Sequence, residues 1–299
     1  MDIQPRCLLP IEASLGEGPV WVSRDRALWF VDILAALIHR FEPDTGRLGS
    51  WTAPARPGWI HPSADGGFLV GLKTGLHRFD PGTGAFEPLF DPEPHLFTNR
   101  LNDAAVDHAG RLWFGTMDDD ETAASGRFYR LDQRGCAALA LPPVMITNGP
   151  AISPDGRFLY PVDTISRQIF KVPLAEDGRL GPASVLVTIE EGAGWPDGPV
   201  CDAEGCLWVG LFAGWAARRY SPAGRLLQTV EFPVANVTKI AFGDPDLRTA
   251  FATTARKGLD EAALAGQPLA GGLFAFDPGV AGFAAPVADP ALRFGFASG

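Results

Sequence analysis

The chain has 299 residues, 46% of them hydrophobic with 20 Phe and 8 Trp, and its 35 Gly and 27 Pro require turns at short intervals; such a composition excludes disorder and a fold of long helices. Lys and Arg total 25 against 35 Asp and Glu, a net charge of −10 with a pI near 5.0, the wrong sign for binding a phosphate backbone, so nucleic acid is excluded as a partner. No stretch of about 18 apolar residues is available to cross a membrane as a helix.

The first residues, MDIQPRCLLPIEASLGEG, lack a basic segment followed by an apolar run of signal-peptide length, which reads as a soluble cytoplasmic protein, with a monomer as the default state. Cys7 to Ala13 has the character of a strand lying ahead of the first repeated unit. From there an apolar triplet recurs six times: LWF at Leu28 to Phe30, FLV at Phe68 to Val70, LWF at Leu112 to Phe114, FLY at Phe158 to Tyr160, LWV at Leu207 to Val209 and AFA at Ala250 to Ala252. The turns ahead of them read SRDR, ADGG, DHAG, SPDG, DAEG and GDPD, mostly hairpin chemistry in which Asp, Gly and Pro supply the special backbone angles. A third strand follows each triplet, as in IHRFEPDTG and LHRFDPGTG. The AALAGQPLA segment near Ala262 could form a helical turn but reads more simply as a loop. Cys201 and Cys206 flank a turn and could face each other across a hairpin, although free, half-buried thiols are expected in a reducing compartment.

Periods of this size define a repeat architecture in which no unit buries its faces alone. Six short meanders with no intervening amphipathic helix predict an all-β fold, a six-bladed β-propeller of one domain spanning 1–299, with the N-terminal strand closing the last blade as its outer strand.

The innermost strand of every blade meets the central channel, so equivalent first positions form a ring. Eight residues before the turn residues Asp25, Gly66, Gly110, Gly156, Gly205 and Asp244 lie Glu17, Gly58, Asn102, Asn148, Asp197 and Asn236. All but Gly58 carry a side-chain oxygen, and the missing side chain at Gly58 suggests a gap for substrate or a mobile water. Glu17, Asn148 and Asp197 each stand before Gly-Pro, where Asn and Asp ordinarily cap turns; at the same phase of three repeats they read better as convergent oxygen ligands for a hard divalent cation. No HExxH or GxSxG occurs in the chain, which removes the commonest zinc-protease and serine-hydrolase signatures. Trp59, Trp195, Phe212 and Trp215 are placed either to line the channel mouth or to pack between blades.

The motifs LGEGPVW at Leu15 to Trp21, NRLNDAAVDHAGRLWFGTM at Asn99 to Met117, TNGPAISPDGRFLY at Thr147 to Tyr160 and PDGPVCDAEGCLWVGL at Pro196 to Leu211 resemble the regucalcin (senescence marker protein) and gluconolactonase family, and within it the bacterial sugar lactonases. The resemblance spans nearly the whole chain. It implies one divalent ion (calcium, zinc, iron(II) or manganese) held by Glu17, Asn148 and Asp197, with Arg100 and Asn102 contacting a small-molecule sugar lactone. It also implies an acidic substrate contact soon after Met117; the run Asp118 to Glu121 leaves the register open, and Asp120 is favoured over Asp119. Asp197 is the expected general base. Two other readings share the scaffold: a phosphotriesterase or paraoxonase-like hydrolase, and a propeller that binds without catalysis.

Overall fold

The computed structural model describes residues 3–297. The chain forms antiparallel four-stranded meanders, each consecutive in sequence. Gly16–Val22, Ala27–Asp32, Leu37–Glu42 and Arg47–Thr52 make the first, and sheets led by Pro57–Pro62, Asn99–Val106 and Thr147–Ile152 repeat it. The remaining strands form an eight-stranded sheet whose halves, led by Trp195–Cys201 and Val237–Gly243, are joined by one parallel pair, Gly198 with Lys239. The leading strands pack side by side in a closed cycle, the last against the first.

The recurring turn and triplet act together. Asp107 accepts from the backbone of Ala109 and Arg111 through one oxygen and from the Trp113 indole nitrogen at 2.8 Å through the other. Asp202 repeats this on Glu204, Cys206 and Trp208, and Asp25 accepts from Trp29 at 3.0 Å. The turn carboxylate thereby fixes both its hairpin and the orientation of the indole in the triplet. Trp29, Trp113 and Trp208 are essentially inaccessible and fill the space between neighbouring sheets. Trp29 packs on Phe68 of the next sheet with ring centroids 4.4 Å apart, a site where truncation to Ala would cost about 3–5 kcal/mol.

Arg6–Leu9 pairs antiparallel with Leu273–Phe276 at the edge of the last meander, Cys7 opposite Phe274. Residues beyond Phe276 run across the face that carries the hairpin turns, bonding to Leu247, Ala203, Ala64 and Gly110 through Gly282, Ala281, Ala288 and Asp289. The AALAGQPLA segment is not simply a loop: Glu261–Gly266 forms a short helix capped by Asp260, whose side chain accepts from Ala263. Cys201 stands opposite Leu207, not Cys206, and all four cysteines are free thiols.

Candidate active site

All six leading strands break register near their first positions. The irregularities fall between Glu17 and Val20, Leu101 and Ala104, Asn148 and Ala151, and Pro196 and Pro199, and, over a shorter span, between Pro57 and Trp59 and between Val237 and Lys239. Such bulges re-aim side chains, here into the channel. Gly18 supports the first of them with a left-handed φ of 53°, a conformation costly for residues with a Cβ. As a result Glu17, Arg100, Asn102, Asn148 and Asp197, all buried, line one cavity of about 340 Å³.

The two other ring positions have different roles. A Cβ on Gly58 would lie 2.4 Å from the Leu101 carbonyl oxygen, so glycine there admits the neighbouring backbone and opens no gap for substrate or water. Asn236 accepts from Ala213 and donates to the Ala255 and Lys257 carbonyls; it stands outside the lining and clamps the segment that brings Lys257 to the cavity.

Within the cavity the polar groups hold one another. Arg100 donates through Nε to Asp119 at 2.9 Å and through Nη1 to the Leu101 carbonyl and to Asn102 Oδ1 at 2.6 Å. Asn102 Nδ2 donates to the Thr147 carbonyl and to Asn148 Oδ1, and Asn148 Nδ2 donates to Thr164 at 2.9 Å. Thr164 in turn donates to the Pro196 carbonyl. Asn102 therefore orients Arg100 and Asn148, with its own amide already engaged.

Glu17 and Asp197 are the exception. Each accepts the backbone N–H of the glycine that follows it, at 2.9 and 3.0 Å, and among the described residues neither is ion-paired with Lys or Arg. Burial, then the charge of Asp103, pushes the Glu17 carboxyl up to about 7. Burial, then the charges of Glu17 and Asp103, raises Asp197 well above the carboxylate range. Two adjacent buried carboxyls of high proton affinity leave a deficit of positive charge. Together with the Asn148 amide they form an oxygen donor set suited to a hard divalent cation. No group of three or more His, Cys, Asp or Glu placed for a metal occurs among the described residues, so an amide must complete such a set.

The acidic run after Met117 requires a correction. Asp120 is exposed and does not line the cavity. Asp119 holds Arg100, and it also accepts from Arg56 at 2.9 Å and Lys73 at 2.6 Å. Burial favours its neutral form, yet Lys73 and the two guanidiniums keep it below the usual carboxylate range. Glu121 lines the cavity and pairs with Lys257 across it, a partnership between residues far apart in sequence that no local pattern signals. Lys239, ion-paired with Asp103 just below the site, does leave a trace: it is the lone charge in Val237–Gly243, an otherwise uncharged and wholly buried strand. Of the four aromatics, Trp195 and Phe212 line the cavity, whereas Trp59 is fully buried in packing and Trp215 is exposed outside it.

Residues 15–256 match the family model described as the SMP-30/Gluconolactonase/LRE-like region. The chain is 35% identical over 283 residues to the 6-deoxy-6-sulfogluconolactonase of Pseudomonas putida, covering 94% of this chain and 97% of that protein. It is 36% identical over 285 residues to the L-arabinolactonase of Azospirillum brasilense, covering 94% of each. Among solved structures, the calcium-binding protein regucalcin from Agrobacterium tumefaciens superposes with a TM-score of 0.91 at 30% identity, covering 96% of this chain and 98% of that one. With motif order, fold and full-length similarity in agreement, the chain belongs to the SMP-30/gluconolactonase/LRE-like family.

Proposed function

We propose that this protein is a metal-dependent sugar lactonase that hydrolyses an aldonolactone to the aldonic acid. Full-length likeness to an L-arabinolactonase and a 6-deoxy-6-sulfogluconolactonase supports the class of reaction. The observation that carries the mechanism is the pair of buried carboxyls, Glu17 and Asp197, with no ion-paired Lys or Arg among the described residues. On this reading the six units are six blades of one domain, and the ion is held by Glu17, Asn148 and Asp197. A divalent ion bound there supplies Lewis acidity toward the lactone carbonyl and favours deprotonation of water.

The residues divide the remaining work. Asp197 accepts the Gly198 N–H through Oδ1, leaving Oδ2 to take the proton of the attacking water. A carboxylate kept ionised by the bound ion is the form that can accept that proton. Arg100, fixed by Asp119 and Asn102, presents Nη2, for which no protein acceptor is found among the described residues, to the substrate hydroxyl or ring oxygen. Asn102 acts by holding Arg100 and Asn148. The oxygen ligands fit calcium and manganese on grounds of hardness, and zinc or iron(II) on grounds of an open three-ligand site.

Proton release from pentono- and hexonolactones, measured on chelated protein and again after adding each ion, tests the reading. Activity should return with metal, and Asp197→Asn should lower kcat by about 10²–10⁴. An Asp197→Asn protein that binds metal and keeps its rate would remove the base; a preference for an organophosphate over every lactone would reassign the enzyme.

A further inference from the structure

The cations in and beneath the cavity already have carboxylates: Arg100 is held by Asp119, Lys257 by Glu121 and Lys239 by Asp103. Arg167 is different. It lies in the turn after Phe158–Asp163, two positions beyond Ile165, which lines the cavity and yet is 46% exposed, so the cavity meets solvent along this turn. The half-buried Arg167 guanidinium stands over the ring of Trp195, 5.2 Å from its centre, and Trp195 is itself part of the lining. Among the described residues the Arg167 side chain has neither an ion pair nor a hydrogen bond, and its Nε is buried without an acceptor.

An unpaired arginine alone identifies nothing, but this one is set apart. Arg130 and Arg218 also bury an Nε that lacks a hydrogen bond, and each is ion-paired, with Asp132 and Glu190. Glu190 follows the Ile189 whose N–H bonds to the Arg167 carbonyl, and Arg218 holds it through both carboxylate oxygens at 2.7 and 2.9 Å. The φ of Arg167 is 58°, left-handed backbone that suits Gly or Asn better than a long side chain, so the turn does not account for arginine there. Its own N–H donates to the Thr164 carbonyl at 3.1 Å, and the side chain therefore projects from a fixed base. Stacking on an indole leaves the guanidinium N–H donors unsatisfied. Donors in a planar fork match the paired oxygens of a carboxylate or sulfonate.

We infer that Arg167, held over Trp195, forms a subsite for an anionic group, and that the substrate is an aldonolactone carrying a carboxylate or sulfonate on the part of its carbon chain away from the reacting carbonyl. This rests on the lactonase reading and narrows its substrate class.

The test uses the metal-loaded full-length protein with gluconolactone, its 6-carboxylate counterpart glucarolactone and 6-deoxy-6-sulfogluconolactone. The better of the two anionic lactones should exceed gluconolactone in kcat/KM by about tenfold or more, chiefly through KM, and the advantage should shrink as salt is raised; which of the two it is assigns the anion. Arg167→Gln, its folding checked by melting temperature, should lower kcat/KM for that lactone about tenfold and for gluconolactone by less than about twofold. Arg167→Lys, which keeps the charge, should retain part of the preference. Gluconolactone as the best substrate, or an equal loss on neutral and anionic lactones in Arg167→Gln, the mark of a residue that only supports Trp195, would overturn the inference and leave the lactonase reading standing. Failure to hydrolyse any of the three with any divalent ion would overturn the lactonase reading itself. Calorimetric titration of the open-chain 6-deoxy-6-sulfogluconate and glucarate would then decide the subsite: binding weakened by Arg167→Gln upholds it, and binding that is absent or unmoved removes it.

Discussion

The two ends of the central channel bury carboxylates in opposite ways. Toward one face lies the open cavity in which Glu17 and Asp197 adjoin, with no side-chain cation among the described residues paired to either. One residue after Asn102 in the strand Asn99–Val106, Asp103 lines a smaller cavity of about 110 Å³ that also includes Pro286 of the C-terminal segment. Asp103 is fully provided for: it forms an ion pair with Lys239 and accepts the backbone N–H groups of Ala104 and Gly149 at 2.7 and 2.8 Å. His61, in the same cavity, is pushed down to about 4, by burial first and by Lys239 second, and so contributes no positive charge near neutrality. A carboxylate meant for structure is accompanied by its own ammonium and amides. At the pair left uncompensated at similar depth, the proposed cation would supply the missing charge.

Removing the built-in cation should have the largest effect. Lys239→Met leaves Asp103 buried and unpaired, a lesion that costs about 3–5 kcal/mol, or a melting-temperature loss on the order of 6–10 °C in a chain of this size. Adding Asp103→Asn should restore much of the loss, since the amide needs no counter-ion. A melting temperature unchanged in Lys239→Met would erase the distinction between the two ends.

The open end should respond with the opposite sign. The carboxyl of Glu17 is raised to about 7 from an ordinary 4.5, so in chelated protein it favours the folded state below about pH 4.5, and that contribution is lost as pH rises through 7. Glu17→Gln does not titrate. Relative to that variant, the chelated native protein should therefore lose up to about 3 kcal/mol between pH 4.5 and 7.5. Melting curves across this range check it, and a saturating divalent ion should abolish the difference by binding the folded state. A native protein that gains on Glu17→Gln as pH rises would show that the pair is compensated from within.

Much of this contrast is legible in the amino-acid sequence because the repeat supplies a phase. Aspartates of the turns, indoles of the triplets and the first positions of the leading strands recur at fixed offsets, and register bulges then carry Glu17, Asn102, Asn148 and Asp197 to one cavity. Gly58 shows the limit of that phase: the same position is empty because backbone from the next strand occupies it, a long-range contact invisible in a list of residues. Lys257 and Glu121 meet from segments 136 positions apart, and Ile165 reaches the cavity from a turn whose direction only the fold determines. Within the acidic run, three consecutive aspartates offer nothing by which to tell them apart.

Those aspartates give the smallest and most local comparison. The backbone alternates at the end of the strand Leu112–Asp118: Asp118 is tied to the Thr122 and Ala123 amides, Asp119 turns inward to Arg100, Arg56 and Lys73, and Asp120 faces solvent. Asp119→Asn would leave three cations around a neutral amide and release Arg100 Nε from its charged partner. If Arg100 positions the substrate as proposed, lactone KM should rise about tenfold, in proportion to one charge-assisted hydrogen bond of roughly 1.5 kcal/mol, with kcat falling less because that role involves no proton transfer. Asp120→Asn should change both constants by less than about twofold, as expected for an exposed surface position. Steady-state kinetics on the two variants decide the matter: a larger effect at Asp120 would mean that the loop rearranges over bound substrate and that the inward-facing aspartate is only a support.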